Sequence, residues 1–238
     1  MTTNAPAVAA ADARRGLPAL TLALAWLLWA AIALAIWGAL AWAPPAVGFK
    51  NVMSSRILFF HVPMAWGSFV AFLAAGAWSL VYLLRGRRRR HDLAAAVAVE
   101  LGLVFCVLAT LSGSIWSRLE WGAYWNWDPR QTSIVLALVF YAAYLALRGA
   151  VADGETRARL SAAYAGLGLV VAPFLFFVLP RLAFSLHPEP VVNAGGEVEM
   201  DARILQVLLF ASLGFTALFF WMHNVAWRLR RAVERNGG

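Results

Sequence analysis

The chain has one cysteine, Cys106, and only four histidines in 238 residues. A single thiol excludes a disulfide framework, a CxxC redox pair and a thiolate metal cage together. Charge is also scarce: Asp, Glu, Lys and Arg make up 13% of the residues, about half the share of a soluble domain. Acidic residues are the fewest, 12 against 20 basic ones, giving a formal charge of +8 and a pI near 10.7. That excess does not describe a nucleic-acid surface, because the basic residues lie in short clusters between apolar blocks rather than along one face. What is abundant is apolar. The hydrophobic share is 62% and the mean hydropathy +0.70, where soluble domains run at about 45–50%. The composition implies an all-α, polytopic membrane protein.

A membrane-crossing helix needs about 20 mostly apolar residues, and six such blocks occur, at about 17–42, 57–84, 93–116, 129–147, 160–180 and 204–227. They predict a bundle of six transmembrane helices and a single integral-membrane domain over 1–238. The first block is too long for the hydrophobic region of a cleaved signal peptide, about 7–15 residues. Ala41-Trp42-Ala43 therefore reads as the outer end of a retained helix, and Arg14-Arg15-Gly16-Leu17-Pro18 as a poor export signal. Fourteen of the 20 basic residues fall on one side of this arrangement, among them Arg14, Arg15, the Arg87–Arg90 run and Arg228 to Arg235. The other side has six: Lys50, Arg56, Arg118, Arg130, Arg181 and Arg203. By the positive-inside rule both termini are cytoplasmic, and the loops at about 43–56, 117–128 and 181–203 face outward. The Arg87–Arg90 run reads as a stop-transfer anchor on anionic headgroups.

The outward segment from Trp116 to Thr132 holds four of the chain's 12 tryptophans within twelve residues. Trp and Tyr gather at membrane interfaces in any case, but this loop also carries Glu120, Asp128 and Arg130. If 118–127 is a short interfacial helix, Trp121 and Trp125 lie about 40° apart with Tyr124 beside them. Such a face suits a large planar apolar ligand or the headgroup layer, and Trp127 points elsewhere. Asp128-Pro129-Arg130-Gln131 reads as an N-cap, a proline at N1 and a capping-box glutamine. Cap duty is favoured for Asp128 over a chemical role.

Two of the four histidines lie on the arginine-rich side: His91 as a solvated group, His223 in an interfacial or packing role. His61 and His187 lie outward, on either side of the tryptophan-rich segment. Two imidazoles, no outer cysteine and a broad aromatic surface fit iron in a porphyrin better than a closed zinc site. Arg56, Arg118, Arg130 and Arg181 are available to propionates, or to lipid headgroups. Glu100 lies inside the third span, where a carboxylate is costly, and Ser112-Gly113-Ser114 permits close helix packing. The residues leave two competitors to haem handling open: a bis-histidine electron-transfer cytochrome and a small-solute transporter built on Glu100.

Trp121-Gly122-x-x-Trp125-x-Trp127-Asp128-x-Arg130-x-Thr132-Ser133 resembles the tryptophan-rich "WWD" signature of the haem-handling family. Gly113-Ser114-x-Trp116, Arg56-Ile57-x-x-x-His61-Val62-Pro63 and the six spans narrow the resemblance to its cytochrome c maturation protein C (CcmC) branch. The resemblance implies a non-covalent, b-type haem held at the periplasmic face of the bacterial inner membrane. It implies His61 and His187 as axial ligands, with Trp116, Trp121, Gly122, Tyr124, Trp125, Trp127, Asp128, Arg130 and Arg56 around the haem. Ala183-Phe184-Ser185-Leu186 departs from the aromatic run that often precedes the second ligand. The implied role is haem delivery in c-type cytochrome biogenesis, by a transfer chaperone rather than an enzyme. The implied partners are a membrane-anchored periplasmic haem chaperone (CcmE-like), ABC transporter subunits (CcmA/CcmB-like) and a small single-span subunit (CcmD-like).

Overall fold

The structure, a computed structural model, describes residues 19–47, 49–187, 198 and 200–236. Arg14, Arg15, Gly16, Leu17 and Pro18, which enter the sequence reading of the first span, and residues 188–197 and 199 of the last outer loop lie outside the described residues. The described residues form helices and loops: α1 (Ala19–Trp37), α2 (Leu58–Leu84), α3 (Arg89–Trp121), α4 (Pro129–Ala150), α5 (Gly154–Pro173) and α6 (Ala202–Asn236). α1 continues as a π-helical turn, Gly38–Trp42, and α5 as another, Phe174–Val178, followed by a 3-10 turn, Leu179–Arg181. A further 3-10 turn, Val52–Ile57, leads into α2. Six helical segments are long and apolar enough to cross a membrane, so this is a multi-pass membrane protein.

Helix starts follow local chemistry. The first N–H groups of a helix lack intrahelical partners, and a short polar side chain supplies one. Asp128 accepts from the Arg130 N–H at 2.9 Å, Asp153 from Thr156 at 2.7 Å and Asp201 from Arg203 at 2.8 Å, opening α4, α5 and α6. From the second to the sixth, each predicted span lies within a longer helical segment, and the described part of the first, from Ala19, is helical to Trp42. α3 begins at Arg89 and α6 runs to Asn236, because helix hydrogen bonding carries on past the apolar block when the flanking residues are good helix formers.

α2 is central and packs against α3, α5 and α6. In lipid, helix association rests on close van der Waals packing, and α3 offers Ala94, Ala95, Ala96 and Ala98, all buried. Phe72 of α2 stacks on Tyr141 of α4, ring centroids 3.6 Å apart and nearly parallel, in a core completed by Phe105, Leu175 and Phe219. α1 is peripheral: Leu28 is its one buried residue, and Trp26, Leu27 and Trp29 are exposed. Its far end is held by Arg56, whose Nη1 donates to the carbonyls of Ala39 at 2.8 Å and Ala43 at 2.6 Å. A cation at the C-terminal end of a helix complements the dipole there.

The arginine-rich end is cross-tied by ion pairs. Asp92, 1% exposed, accepts from Arg148 of α4 at 2.5 and 3.1 Å and from Arg89. Arg89 also holds Glu234 of α6 at 2.7 Å, and Arg230 holds Glu100 through both terminal nitrogens. His91, expected in solvent, is 7% exposed and lies against Trp78, because α3 already starts at Arg89 and turns His91 into the bundle. His223 is buried with its Nε2 2.9 Å from the Ala94 carbonyl.

Candidate functional site

The tryptophan-rich segment is not a short interfacial helix over 118–127. α3 runs unbroken through Trp116 to Trp121 and stops at Gly122, whose φ of +82° lets the chain leave the helix while its N–H still reaches the Arg118 carbonyl at 3.2 Å. Left-handed backbone at the residue after a helix is glycine's common position. From Gly122 to Asp128 the chain is irregular, so the angular relation expected of Trp121, Tyr124 and Trp125 does not arise.

Serines of α3 hold this loop to the helix it leaves. Ser114 donates to the Tyr124 carbonyl at 2.9 Å and Ser117 to the Ala123 carbonyl at 2.7 Å. Ser117 in turn accepts from Asn126 at 3.1 Å and from Gln131 at 3.3 Å. Gln131 does not close a capping box. Its Oε1 accepts from the Asn126 N–H at 2.8 Å, tying the loop to the first turn of α4. Trp127 sits at φ +54°, a conformation costly for a bulky side chain. The Thr132 hydroxyl donates to its carbonyl at 3.2 Å.

Asp128 does more than cap α4. It is 4% exposed, and its carboxylate accepts from the Arg130 N–H, the Leu186 N–H at 2.7 Å, the Ser185 hydroxyl at 2.9 Å and His187 Nδ1 at 2.8 Å. Burial alone would raise its pKa; these donors and the nearby imidazole hold it below the ordinary carboxylate value instead. An ionised carboxylate is acceptor-only, so Nδ1 of His187 carries the proton. Burial pushes the His187 pKa down to about 4, and Asp128, which raises it, only partly offsets the burial and the charge of Arg130. The pair is thus a carboxylate and a neutral imidazole, and Nε2 of His187 keeps its lone pair.

His61 is arranged alike by other means. Its Nδ1 is 3.1 Å from Ser112 Oγ, and the Ser112 hydroxyl lies 2.8 Å from the Leu108 carbonyl, one turn back. With that hydrogen directed to Leu108, the serine oxygen accepts from Nδ1–H, again leaving Nε2 as the open nitrogen. The ring is seated on Gly113, where a Cβ would stand 2.6 Å from His61 Cε1. Gly113 thus permits close approach of an imidazole as well as of a helix.

The fold brings His61, His187, Arg130, Trp116, Trp121 and Asp128 together. Trp121 meets the His187 ring edge-on at 4.8 Å between centroids and Trp116 at 4.9 Å; Trp116 lies 5.8 Å from His187. Arg130 and the His61 imidazole are both near enough to His187 to help lower its pKa. Other expected residues lie apart from this group. Trp127 is 70% exposed and packs edge-on to Trp125 at 5.8 Å, Tyr124 is 60% exposed under the Arg118 guanidinium, and Arg56 is directed at the end of α1. Sequence reasoning missed Glu120, 6% exposed, which accepts from the Lys50 N–H at 2.8 Å and from Ser54 and so fixes the loop ahead of α2. Its signal was a carboxylate within an aromatic segment. Ser185 and Ser117 carried no signal of their own.

Comparisons with known proteins bear on what such a pair of imidazoles holds. A family model described as "Heme exporter protein C" (CcmC) matches residues 6–236. The Heme exporter protein C of Bradyrhizobium diazoefficiens is 34% identical over 189 residues, 78% of this chain and 71% of the relative. That of Paracoccus denitrificans is 30% identical over 187 residues, 79% and 76% of the two chains. A putative cytochrome c biosynthesis ccmC-like mitochondrial protein of Marchantia polymorpha is 28% identical over 193 residues, 81% of each. A match over nearly the whole length, on a six-span chain, leaves a single assignment: this chain belongs to the heme exporter protein C (CcmC) family, membrane proteins of haem handling in cytochrome c biogenesis.

Proposed function

We propose that this protein binds haem non-covalently at the outer, periplasmic face of the bacterial inner membrane, between His61 and His187, and passes it to a partner. The observation that carries this reading is the matched state of the two imidazoles. Each has Nδ1 engaged by an oxygen acceptor, Asp128 for His187 and Ser112 for His61. A ligating histidine characteristically donates its other ring N–H in this way, which fixes the tautomer and aims the lone pair. The residues present fit a b-type haem: two nitrogen donors, indoles at Trp116 and Trp121, and the cation of Arg130 for a propionate.

His61 and His187 would hold the haem iron through their Nε2 atoms, and the haem would be the cargo passed on. The chain's residues do the rest. Asp128 holds the His187 ring and keeps its proton on Nδ1. Gly113 and Ser112 set the His61 ring, and the Trp116–Trp121 pair shields the His187 side from water. Exposed Tyr124, Trp127 and Gly122, with half-buried Trp125 beside them, form the rim where an incoming haem chaperone (CcmE-like) would meet the haem edge. ABC transporter subunits (CcmA/CcmB-like) and a small single-span subunit (CcmD-like) are the further partners proposed. Both termini are then cytoplasmic, and the role is that of a transfer chaperone. Neither competitor gains support: His223 hydrogen-bonds backbone instead of facing His61, and Glu100 is held by Arg230.

The test is an absorption spectrum of protein purified after expression with ample haem. Wild type is expected to show a low-spin, six-coordinate haem, and His61→Ala and His187→Ala to lose or change it. Wild type without haem, or variants with an unaltered spectrum, would overturn the reading.

A further inference from the structure

Two groups stand out among the arginines at the end of the bundle remote from His187. Arg89, Arg148 and Arg230 are paired with carboxylates, holding Asp92, Glu234 and Glu100. Of the run read from sequence as the lipid anchor, Arg89 is thus occupied, Arg90 Nε lies 3.1 Å from His91, and Arg87 faces Glu155 at 3.6 Å. Arg228, Arg231 and Arg235 have no carboxylate partner among the described residues.

These three share one face of α6. At about 100° per residue they fall within an arc of about 60°; Arg230, which grips α3, lies about 130° from the middle of that arc, and Glu234, held by Arg89, flanks it about 60° from Arg231. The base of the stripe is fixed. Trp227 donates from Nε1 to the Arg90 carbonyl at 2.9 Å, and the Arg231 guanidinium covers its ring at 4.7 Å. Asn224, Trp227, Arg228, Arg231 and Arg235 line one shallow groove along the helix.

Depth indicates what occupies it. The apolar part of α6 ends at Trp227, and at about 1.5 Å per residue Arg228, Arg231 and Arg235 lie roughly 1.5, 6 and 12 Å beyond it. The headgroup layer on each side of the hydrocarbon is about 5–7 Å thick. Two of the three guanidinium groups start inside that layer, and the third reaches back into it on a long flexible stem. Guanidinium groups pair with phosphate oxygens bidentately, and an interfacial tryptophan marks the boundary. We infer that the Trp227–Arg228–Arg231–Arg235 stripe of α6 is a docking surface for anionic phospholipid, selecting phosphatidylglycerol-type headgroups over zwitterionic ones.

The test uses the full chain reconstituted in phosphatidylcholine vesicles containing a trace of spin-labelled phosphatidylglycerol or phosphatidylcholine. The ratio of the two association constants is read by electron paramagnetic resonance. Wild type is expected to favour phosphatidylglycerol several-fold, and the triple variant Arg228→Gln, Arg231→Gln, Arg235→Gln to bring the ratio close to one. Arg203→Gln, at the other end of the same helix, should leave it unchanged. Raising salt to about 1 M shortens the screening length to about 3 Å, so wild type alone should lose most of its preference; this arm needs no variant to fold. A ratio unaffected by both salt and the triple change would overturn the inference and point to an acidic protein partner for the stripe. An equal drop for Arg203→Gln would overturn it too, by showing a general charge effect.

Discussion

Asp128 and Asp92 are buried to nearly the same extent, 4% and 1% exposed, at opposite ends of the bundle. Asp128 is bound by backbone N–H groups, a serine and a neutral imidazole. Asp92 is bound by two guanidinium groups, from Arg89 and Arg148. Neutral donors leave a carboxylate its charge and use it to aim their own atoms; cations cancel it. The tryptophan-rich end is therefore built to orient a ring nitrogen, and the arginine-rich end to hold three helices together.

The largest expected effect separates the two ends. Removing one partner of a buried ion pair costs about 3–5 kcal/mol, because the other charge stays buried alone. Asp92→Ala should lower the unfolding free energy by about that amount, since Arg148 is left behind, while the folded fraction keeps its haem spectrum. A denaturation series with haem content measured per folded molecule checks both halves. Lost haem in the folded fraction would mean that the ends are coupled and the contrast wrong.

Asp128→Asn should do the reverse. Outer-shell partners of metal ligands are typically worth about 10–100-fold in affinity, and an asparagine still caps a helix. Haem titration should show that loss with little change in thermal midpoint. Equal haem affinity in wild type and variant would leave Asp128 a cap and nothing more.

Gly113→Ala comes next. A Cβ 2.6 Å from the His61 ring forces the imidazole aside, and overpacking of this kind costs about 1 kcal/mol or more. Its effect should appear as weakened haem binding and a shifted absorption band, and Gly113→Ser should be at least as severe. An unaltered band would show that His61 is not set by this contact.

The smallest effect is with pH. Because the His187 pKa is depressed to about 4, its imidazole stays neutral well below the ordinary value near 6.5. Haem retention at this site should hold from pH 8 to about pH 5 and decline only on approach to 4. In haem-free protein the unfolded chain takes up the His187 proton first as pH falls from about 6.5, so stability declines over that window, and His187→Ala should remove that part of the decline. Half-loss of haem near pH 6.5 would contradict the buried, Asp128-bound imidazole.

Much of this molecule was legible from residues alone. Six helical segments can cross a membrane, and the second to sixth apolar blocks lie within theirs; Asp128-Pro129 opens α4 as a cap and proline pair should, and the WWD resemblance reached the family that the comparisons show. Trp121, Gly122 and Trp125 were misplaced relative to one another because a helical reading of 118–127 ignored what a glycine does at a helix end. His91 was misread since charge density in sequence says nothing about which face a helix buries. Gln131 was given a capping partner one turn away and took a loop N–H instead.

Sequence by itself determined the membrane class, the number of apolar spans, the asymmetry of charge and the residue types available for haem. Those depend on composition and on neighbours within one helical turn, where hydropathy, caps and glycine act locally. Tertiary structure decided the rest. The partner of His187 lies 59 residues away, that of His61 51 and that of Glu100 130. Contacts at that range follow from how helices pack, and no local pattern encodes which buried acceptor a given imidazole or guanidinium will meet.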